Sequence, residues 1–366
     1  MTLAIFYLFL LCICIQVYFY LYYFPILLFH KDKSTRADTE SKVSIIVCAH
    51  NEYKNLKTLI PRLLSQEYLE YEIIIVNDRS NDKTSTLETL FKNDKLKFVH
   101  INKTPKGFTS KKYALTKGIE SAKNEIILLT DADCVPASNL WLKEMSEKNT
   151  PQSPIVLGYS PYQRKAGLLN ALIRYETIYT GIQYLSAALR GAPYMGVGRN
   201  LCYRKNLFNE NNGLESHKNI TGGDDDLFIK DVADKHEVSI KITQKSQTIS
   251  TPKHTWKGWF IQKKRHLNAG KHYKTQHKVM IGALNLSHIL FYTTFFLLLP
   301  AYEEKLLLFA LFLGRAILTT ITFSLISYKL KDKLQWYLLP ILDLIYIVNY
   351  IIFGATALFS TTKKWN

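Results

Sequence analysis

Two carboxylate clusters and one basic, aromatic segment carry the chemistry legible in this chain. The first cluster is Asp131-Ala132-Asp133, directly after the apolar run 125–129. Alternation along an extended turn puts its two carboxylates on one side. Mg2+ or Mn2+ takes oxygen ligands, commonly one or two carboxylates together with substrate phosphates. A metal-bound diphosphate is therefore the reading of this pair, against a solvated turn. The second cluster is Gly222-Gly223-Asp224-Asp225-Asp226-Leu227. Three adjacent carboxylates repel, which raises at least one proton affinity and suits a general base. Acidic residues also suit a helix N-terminus, and the two readings coexist if a helix starts near Asp226. The third segment, 256–273, holds Gln262 and Arg265 three apart on one helix face. The forked guanidinium suits a phosphate; an amphipathic interfacial helix is the alternative.

These residues need elements to position them. Residues 43–49 (VSIIVCA) form a β-branched run closed by His50-Asn51-Glu52. Residues 71–76 end in Asn77-Asp78-Arg79-Ser80, 97–101 form a third run, and 125–129 end in Thr130-Asp131. Helical stretches fall between them at 53–66, 83–93 and 109–122. Strands alternating with helices predict a parallel sheet, in which ligands bind outside the carboxyl ends of the strands. Three of those ends carry acids: Glu52, Asp78, and Asp131 with Asp133. The Tyr- and Leu-rich run 167–190 reads as a helix that packs in the core or lies on a membrane.

Residues 3–29 hold no charged side chain, and about 20 apolar residues span a bilayer as a helix. No Lys or Arg precedes the run, while His30, Lys31 and Lys33 follow it, so it reads as an uncleaved anchor rather than a signal peptide. Three further spans are expected at 279–302, 305–328 and 336–360. The second holds Arg315 and the third Asp343; they either pair inside a bundle, or Arg315 snorkels or faces a polar cavity. Lys31, Lys33, the basic stretch before 279, and Lys329, Lys331 and Lys333 place residues 30–278 and the 329–335 loop in the cytoplasm. Lys363 and Lys364 in the expected outer tail conflict with this, unless one C-terminal span is re-entrant. The expected domains are an anchor at 1–30, a catalytic domain at 31–255, a basic interfacial segment at 256–278 and membrane helices at 279–366.

The chain has 366 residues, 47% hydrophobic, with apolar residues crowded at its ends. This excludes a disordered chain, a collagen-like fibre and a small disulfide scaffold. Lys and Arg number 47 against 30 Asp and Glu, a net charge of +17. No nucleic-acid motif accompanies the charge, so the expected partners are a membrane face and an anionic substrate rather than nucleic acid. Five cysteines without a CxxC pair argue against a disulfide framework or a zinc site and fit a reduced cytosolic domain. Cys48, Cys134 and Cys202 read as small buried residues.

Taken together, residues 43–275 resemble a membrane-bound family 2 glycosyltransferase of GT-A fold, related to cellulose, chitin and hyaluronan synthases and ceramide glucosyltransferase. The resemblance rests on Asn51-Glu52, on Asn77-Asp78-Arg79-Ser80, on Lys111-Lys112-Tyr113-Ala114-Leu115 and on the D-x-D at Asp131-Ala132-Asp133. Gly198-Arg199-Asn200, Asp224-Asp225-Asp226-Leu227 and Gln262-Lys263-Lys264-Arg265-His266 complete it. It implies an α/β, Rossmann-like, mostly parallel sheet in the cytosol, with one N-terminal and about three C-terminal transmembrane helices. It implies that Glu52 and Asp78 hold the nucleoside, Asp131 the sugar or ribose, Asp133 a Mg2+ or Mn2+ ion, and Lys111, Gln262 and Arg265 the nucleotide phosphates. Asn200, Asp226 and His266 fall on the acceptor side. Gly223 replaces the family's Glu before the base. Counting back from Leu227 makes Asp224 the base, and a one-residue shift makes it Asp225.

The reaction implied is inverting transfer from a nucleotide sugar, first a UDP-sugar, to a lipid or lipid-linked glycan at the cytoplasmic membrane. His266 stands where polymer synthases carry Trp, which disfavours the alternative, a processive polysaccharide synthase. A non-catalytic membrane scaffold and a nucleotidyltransferase are the remaining readings.

Overall fold

Seven strands form one sheet in the order β3-β2-β1-β4-β7-β6-β8. They are β1 (Val43–Ala49), β2 (Tyr71–Asp78), β3 (Leu96–Ile101), β4 (Ile126–Leu129), β6 (Ile155–Gly158), β7 (Leu201–Arg204) and β8 (Val238–Lys241). Only β7 runs against its neighbours, β4 and β6. A separate antiparallel pair joins β5 (Cys134–Pro136) to β9 (Thr248–Ser250). The computed structural model describes residues 1–32 and 41–358, with side chains up to 354. Lys33, Lys363, Lys364 and the last two residues of the expected fourth span lie outside the described residues.

The sheet forms where expected because its central strands are apolar on both faces, the pattern of a parallel sheet covered on two sides. Ile45, Ile46, Val47 and Ile73 to Val76 are at most 1% exposed. The helix Tyr53–Leu64 buries Leu56, Leu59, Ile60 and Leu63, one stripe at helical spacing. Truncating Leu59 to Ala would cost about 2–5 kcal/mol by the transfer and cavity terms. The helix Ser110–Ser121 lies across β1 and β2. The expected helix at 83–93 breaks into a 3-10 turn, Lys83–Thr86, and a single α turn, Leu87–Leu90. Asp82 caps the turn through Thr84 N–H at 2.9 Å, and only Thr84 and Leu87 are buried there.

The chain divides into two compact units. One comprises residues 41–163 and 187–253 with the sheet; the other comprises 1–30, 164–186 and 254–358. Among the described residues, the second unit has four helices long and apolar enough to cross a membrane: Thr2–Phe29, Thr275–Ala301, Lys305–Lys329 and Trp336–Gly354. Arg315 and Asp343 pair inside this unit, which excludes snorkelling. Arg315 Nη1 contacts Asp343 Oδ2, and its Nε donates to Gln16 Oε1 at 2.5 Å. The Tyr292 and Tyr175 hydroxyls donate to the two Asp343 oxygens at 2.8 and 2.9 Å. Tyr175 belongs to the helix Leu168–Leu189, so most of that run packs with the apolar helices. Its Arg174 also donates to Asp332 Oδ1 at 2.5 Å, and its Glu176 pairs with Lys263 at 2.7 Å. The expected soluble stretch 31–255 is thereby interrupted by a segment of the membrane unit.

Candidate active site

Parallel pairing of β1 with β2 and β4 sends all three carboxyl ends the same way. Their turns are latched to one another. Asn51, at φ +57, accepts from Asn81 N–H at 2.7 Å, and its own N–H donates to Ser80 Oγ at 2.9 Å. Glu52 N–H donates to Thr84 Oγ1 and Tyr53 N–H to Asp82 Oδ2, each at 3.1 Å. Glu52 Oε2 accepts from Asn55 at 2.5 Å. Burial pushes the Glu52 carboxyl up, against its bond to Asn55, and the nearby charges of Asp133 and Asp131 add to the rise. Asp78 is fully buried, and the Arg79 guanidinium grips it through two bonds of 2.7 and 3.0 Å. His50 Nδ1 donates to the Asp78 carbonyl at 2.6 Å.

Lys111 joins the two acidic clusters. Its ammonium lies 3.2 Å from Asp131 Oδ1 and 2.9 Å from Asp224 Oδ2. Burial alone would raise the Asp224 carboxyl, but Lys111 outweighs it and holds the group below the ordinary carboxylate range. Asp225 is engaged differently. Its Oδ2 accepts from Gly198 N–H at 2.5 Å, and its Oδ1 accepts from Asp226 N–H at 2.9 Å as the cap of the helix Asp226–Val232. Burial, then the charge of Asp224, pushes the Asp225 carboxyl up. Backbone geometry accounts for the glycines around it. Gly222 and Gly223 sit at φ +80 and +70, a region that side-chain-bearing residues rarely adopt. A Glu in place of Gly223 would therefore need a different turn. At Gly198, a Cβ would stand 3.1 Å from Asp225 Oδ2.

Asp131, Asp133 and Cys134 offer ligand atoms within 4.8 Å of one another. The Cys134 thiol is buried against Ser250 Oγ at 2.9 Å, and burial drives its proton affinity far up. The two carboxylates are thus the donors available to a cation, and as hard oxygen ligands they fit Mg2+ or Mn2+. Burial, then the charge of Asp131, pushes the Asp133 carboxyl up, as expected of an acid crowded beside another acid. Asp133 is held by the β5–β9 pair, since its carbonyl accepts from Thr251 N–H at 3.0 Å.

Other expected site residues fall elsewhere. Asn200 is fully buried, and its amide is consumed inside the fold. It donates to the Tyr159 and Ser246 carbonyls at 2.8 and 2.9 Å and accepts from Trp141 Nε1 at 2.9 Å. Its side chain is thus occupied by three bonds inside the fold. Asp226 opens the helix Asp226–Val232. Gln262, Arg265 and His266 lie on the helix Trp256–Gly270 of the other unit, the first two half-buried and the third exposed. Sequence reading missed Lys112, which is 1% exposed. Its signal was available, because Lys112, Leu115 and Ile119 follow helical spacing along a buried stripe. Arg199, of the expected Gly198-Arg199-Asn200 segment, has its guanidinium carbon 4.6 Å from the Tyr162 ring centre, and Lys253, which sequence reading did not single out, bears electrostatically on Glu52 and Asp133.

A mostly parallel sheet with acids at three strand ends and a small antiparallel pair beside them has the GT-A architecture. In agreement, the mannosyltransferase of Pyrobaculum calidifontis, solved in complex with GDP-Man and Mn2+, matches at a TM-score of 0.63 and 17% identity. The match covers 95% of this chain and 99% of that one, and shows the shared fold. Residues 44–199 match the family model described as glycosyl transferase family 2. Poly-beta-1,6-N-acetyl-D-glucosamine synthase of Staphylococcus epidermidis is 29% identical over 196 residues, 52% of this chain and 44% of that protein. 4,4'-Diaponeurosporenoate glycosyltransferase of Staphylococcus haemolyticus is 27% identical over 156 residues, 43% of this chain and 38% of that protein. The chain spans about half the length of the curated relatives it matches or less. Over residues 44–199 the chain is thus similar to the family 2 glycosyltransferases, and among the described residues it has four helices long and apolar enough to cross a membrane.

Proposed function

We propose that the enzyme moves a sugar, with inversion, from a nucleotide sugar to a lipid or lipid-linked acceptor at the cytoplasmic face of the membrane. The observation that carries this reading is Lys111 bridging Asp224 and Asp131 at the carboxyl end of the sheet. Asp224, buried yet held ionised, takes the proton from an acceptor hydroxyl, and the oxygen attacks the anomeric carbon opposite the leaving nucleoside diphosphate. Lys111 neutralises charge developing on that diphosphate. Glu52 and Asp78 hold the nucleoside, and Asp131 the sugar or ribose. Asp133 holds Mg2+ or Mn2+, which when bound supplies Lewis-acid charge to the leaving group. Asp226 serves the acceptor side. Four membrane helices in the same chain support an acceptor drawn from the bilayer. So does a relative named for a glycosyltransferase acting on 4,4'-diaponeurosporenoate.

The second reading is a processive polysaccharide synthase, favoured by the name of the Staphylococcus epidermidis relative. His266 in place of the synthases' Trp weighs against it. One experiment tests both readings. The protein in detergent, with Mn2+ or Mg2+ and host lipid extract, is given a panel of UDP-sugars and GDP-mannose. Nucleoside diphosphate release and product length are read for wild type, Asp224→Asn and Asp133→Ala. Release with one donor, dependent on lipid, abolished in both variants and giving one added sugar, is the expected result. A ladder of products would establish the synthase. Turnover on soluble acceptors only would sink the lipid reading, and turnover in Asp224→Asn would sink the assignment of the base.

A further inference from the structure

We propose that Lys112 is a positioning residue for this reaction: it clamps the loop that carries Asp224 and supplies the fixed positive charge that keeps that base ionised. The inference rests on the reading of Asp224 as the base. Lys112 is 1% exposed, and its ammonium donates to the His217 carbonyl at 2.6 Å and to His217 Nδ1 at 2.8 Å. A buried ammonium is costly unless paired. Burial lowers its proton affinity to about 8, and the charges of Asp224 first, then Asp225, Asp231 and Asp226, work against that fall and keep it cationic near pH 7.

The arrangement follows from helix geometry. Successive residues on a helix point about 100° apart. Lys111 therefore reaches forward to Asp131 and Asp224, while Lys112 turns inward to His217. Thr109 N–H adds a bond to the Lys218 carbonyl at 2.8 Å. The first turn of the helix Ser110–Ser121 thus holds both ends of the segment 217–224. Between those ends lie Gly222 and Gly223, both at positive φ. Such a pair orders only at an entropic cost, which makes an anchor on either side necessary.

The two lysines have different fates when the donor binds. Lys111 is shared with Asp131, and on the proposed reading it serves the diphosphate. Lys112 is sealed from solvent and bonded to His217, so its charge stays beside the loop that carries Asp224. The other groups facing Asp224 do not replace it. Cys48 from β1 and Tyr203 from β7 are kept neutral by burial. Burial, then the Lys112 charge, lowers His217 to about 4, so it is a neutral imidazole whose Nδ1 accepts. Its Nε2 lies 3.8 Å from Asp231. Asp225 is itself pushed up, by burial and then by the Asp224 charge, and supplies no positive charge.

The test uses the full chain in detergent with the donor and lipid identified above. It compares Lys112→Met and Lys112→Arg with wild type, reading kcat, donor KM and the acid limb of the pH profile of kcat/KM. For Lys112→Met the acid limb should move to higher pH by about half a unit or more, and kcat near pH 7 should fall about tenfold, with donor KM nearly unchanged. Lys112→Arg should return the acid limb to the wild-type position, because it restores the charge. Should Lys112→Met fail to fold, Lys112→Gln, which keeps a donor for the His217 carbonyl without charge, is read in the same way. An unmoved acid limb in the uncharged variant, or a loss confined to donor KM, overturns the inference. Asp224→Asn run in parallel separates the two levels. If it is inactive and the Lys112 profile does not move, only the clamp fails. If it is active, the assignment of the base fails and the clamp with it.

Discussion

Replacing Asp224 and Asp225 singly by Asn should separate two neighbouring acids by kind of effect, not only by size. Asp224 makes its ion pair with the Lys111 side chain at 2.9 Å, and Asn keeps an oxygen for that ammonium. What is lost is the proton acceptor, worth about 10²- to 10⁴-fold in turnover, or about 3–5 kcal/mol on the barrier. Asp225 has both oxygens committed to backbone N–H groups, Gly198 at 2.5 Å and Asp226 at 2.9 Å. Asn caps a helix about as well as Asp does, so the bond to Asp226 survives, but an amide NH2 then faces Gly198 N–H. One part-buried donor left unmatched costs about 1–3 kcal/mol. That cost appears in thermal unfolding, with turnover reduced by about tenfold at most, since 1.4 kcal/mol of misplacement is one decade. The assay is nucleoside diphosphate release under saturating donor, beside unfolding followed in the same detergent. Larger loss of turnover in Asp225→Asn than in Asp224→Asn, with an unchanged unfolding midpoint, would refute the reasoning from committed oxygens and move the base one residue along.

Asp133→Ala should abolish turnover at low Mn2+ and recover little at high Mn2+; full activity without added metal would remove the cation from this site. Arg315→Leu leaves Asp343 buried with only the Tyr175 and Tyr292 hydroxyls, which should cost about 3–5 kcal/mol. The double variant Arg315→Leu/Asp343→Leu should recover most of that loss, and equal melting of single variant and wild type would show that the pair is not desolvated. His217 gives a pH dependence of stability. Its folded-state value of about 4 lies below the unfolded 6.5, so protonation favours unfolding. The contribution is intact above pH 6.5 and is lost as pH falls toward 4, amounting to about 2 kcal/mol by pH 5. His217→Gln should flatten the acid side of the melting profile between pH 7 and 5; an equally steep profile would assign the acid sensitivity to other groups.

The strand ends were legible because parallel strands buried on both faces must be apolar throughout, so polarity returns abruptly where each strand stops. Glu52, Asp78 and Asp131 are found at those breaks, and the register of β1 on β2 and β4 brings the breaks together. The strands that escaped notice, β5 to β9, have three or four residues each and too little pattern to show a period. The helix Leu168–Leu189 stayed ambiguous for another reason. A stripe of Tyr and Leu suits a protein core and a membrane bundle equally, and the bonds of Tyr175 to Asp343 and of Arg174 to Asp332 decide between them. The three internal bonds of Asn200 were not legible either, because a polar residue's type says nothing of which partners the fold brings to it.

Lys111 and Lys112 show where the limit lies. Side by side and chemically identical, they differ only in helical phase. One is 24% exposed between two catalytic-cluster acids, and the other is sealed against His217. A residue's chemistry is written in its type, but the quantity that chemistry needs here, the proton affinity of Asp224, is set by charges placed within a few ångströms of it. Burial raises that affinity, while Lys111 first and then Lys112 lower it. The pattern of buried positions could have pointed to Lys112, since a lysine on the apolar stripe of a helix must find a counter-charge or it would not be tolerated there. The nearest acids to supply one are those of the loop that its neighbour Lys111 already touches. Asp224 and the charges that set its proton affinity therefore belong to one electrostatic unit, in which two consecutive lysines meet a run of three consecutive aspartates.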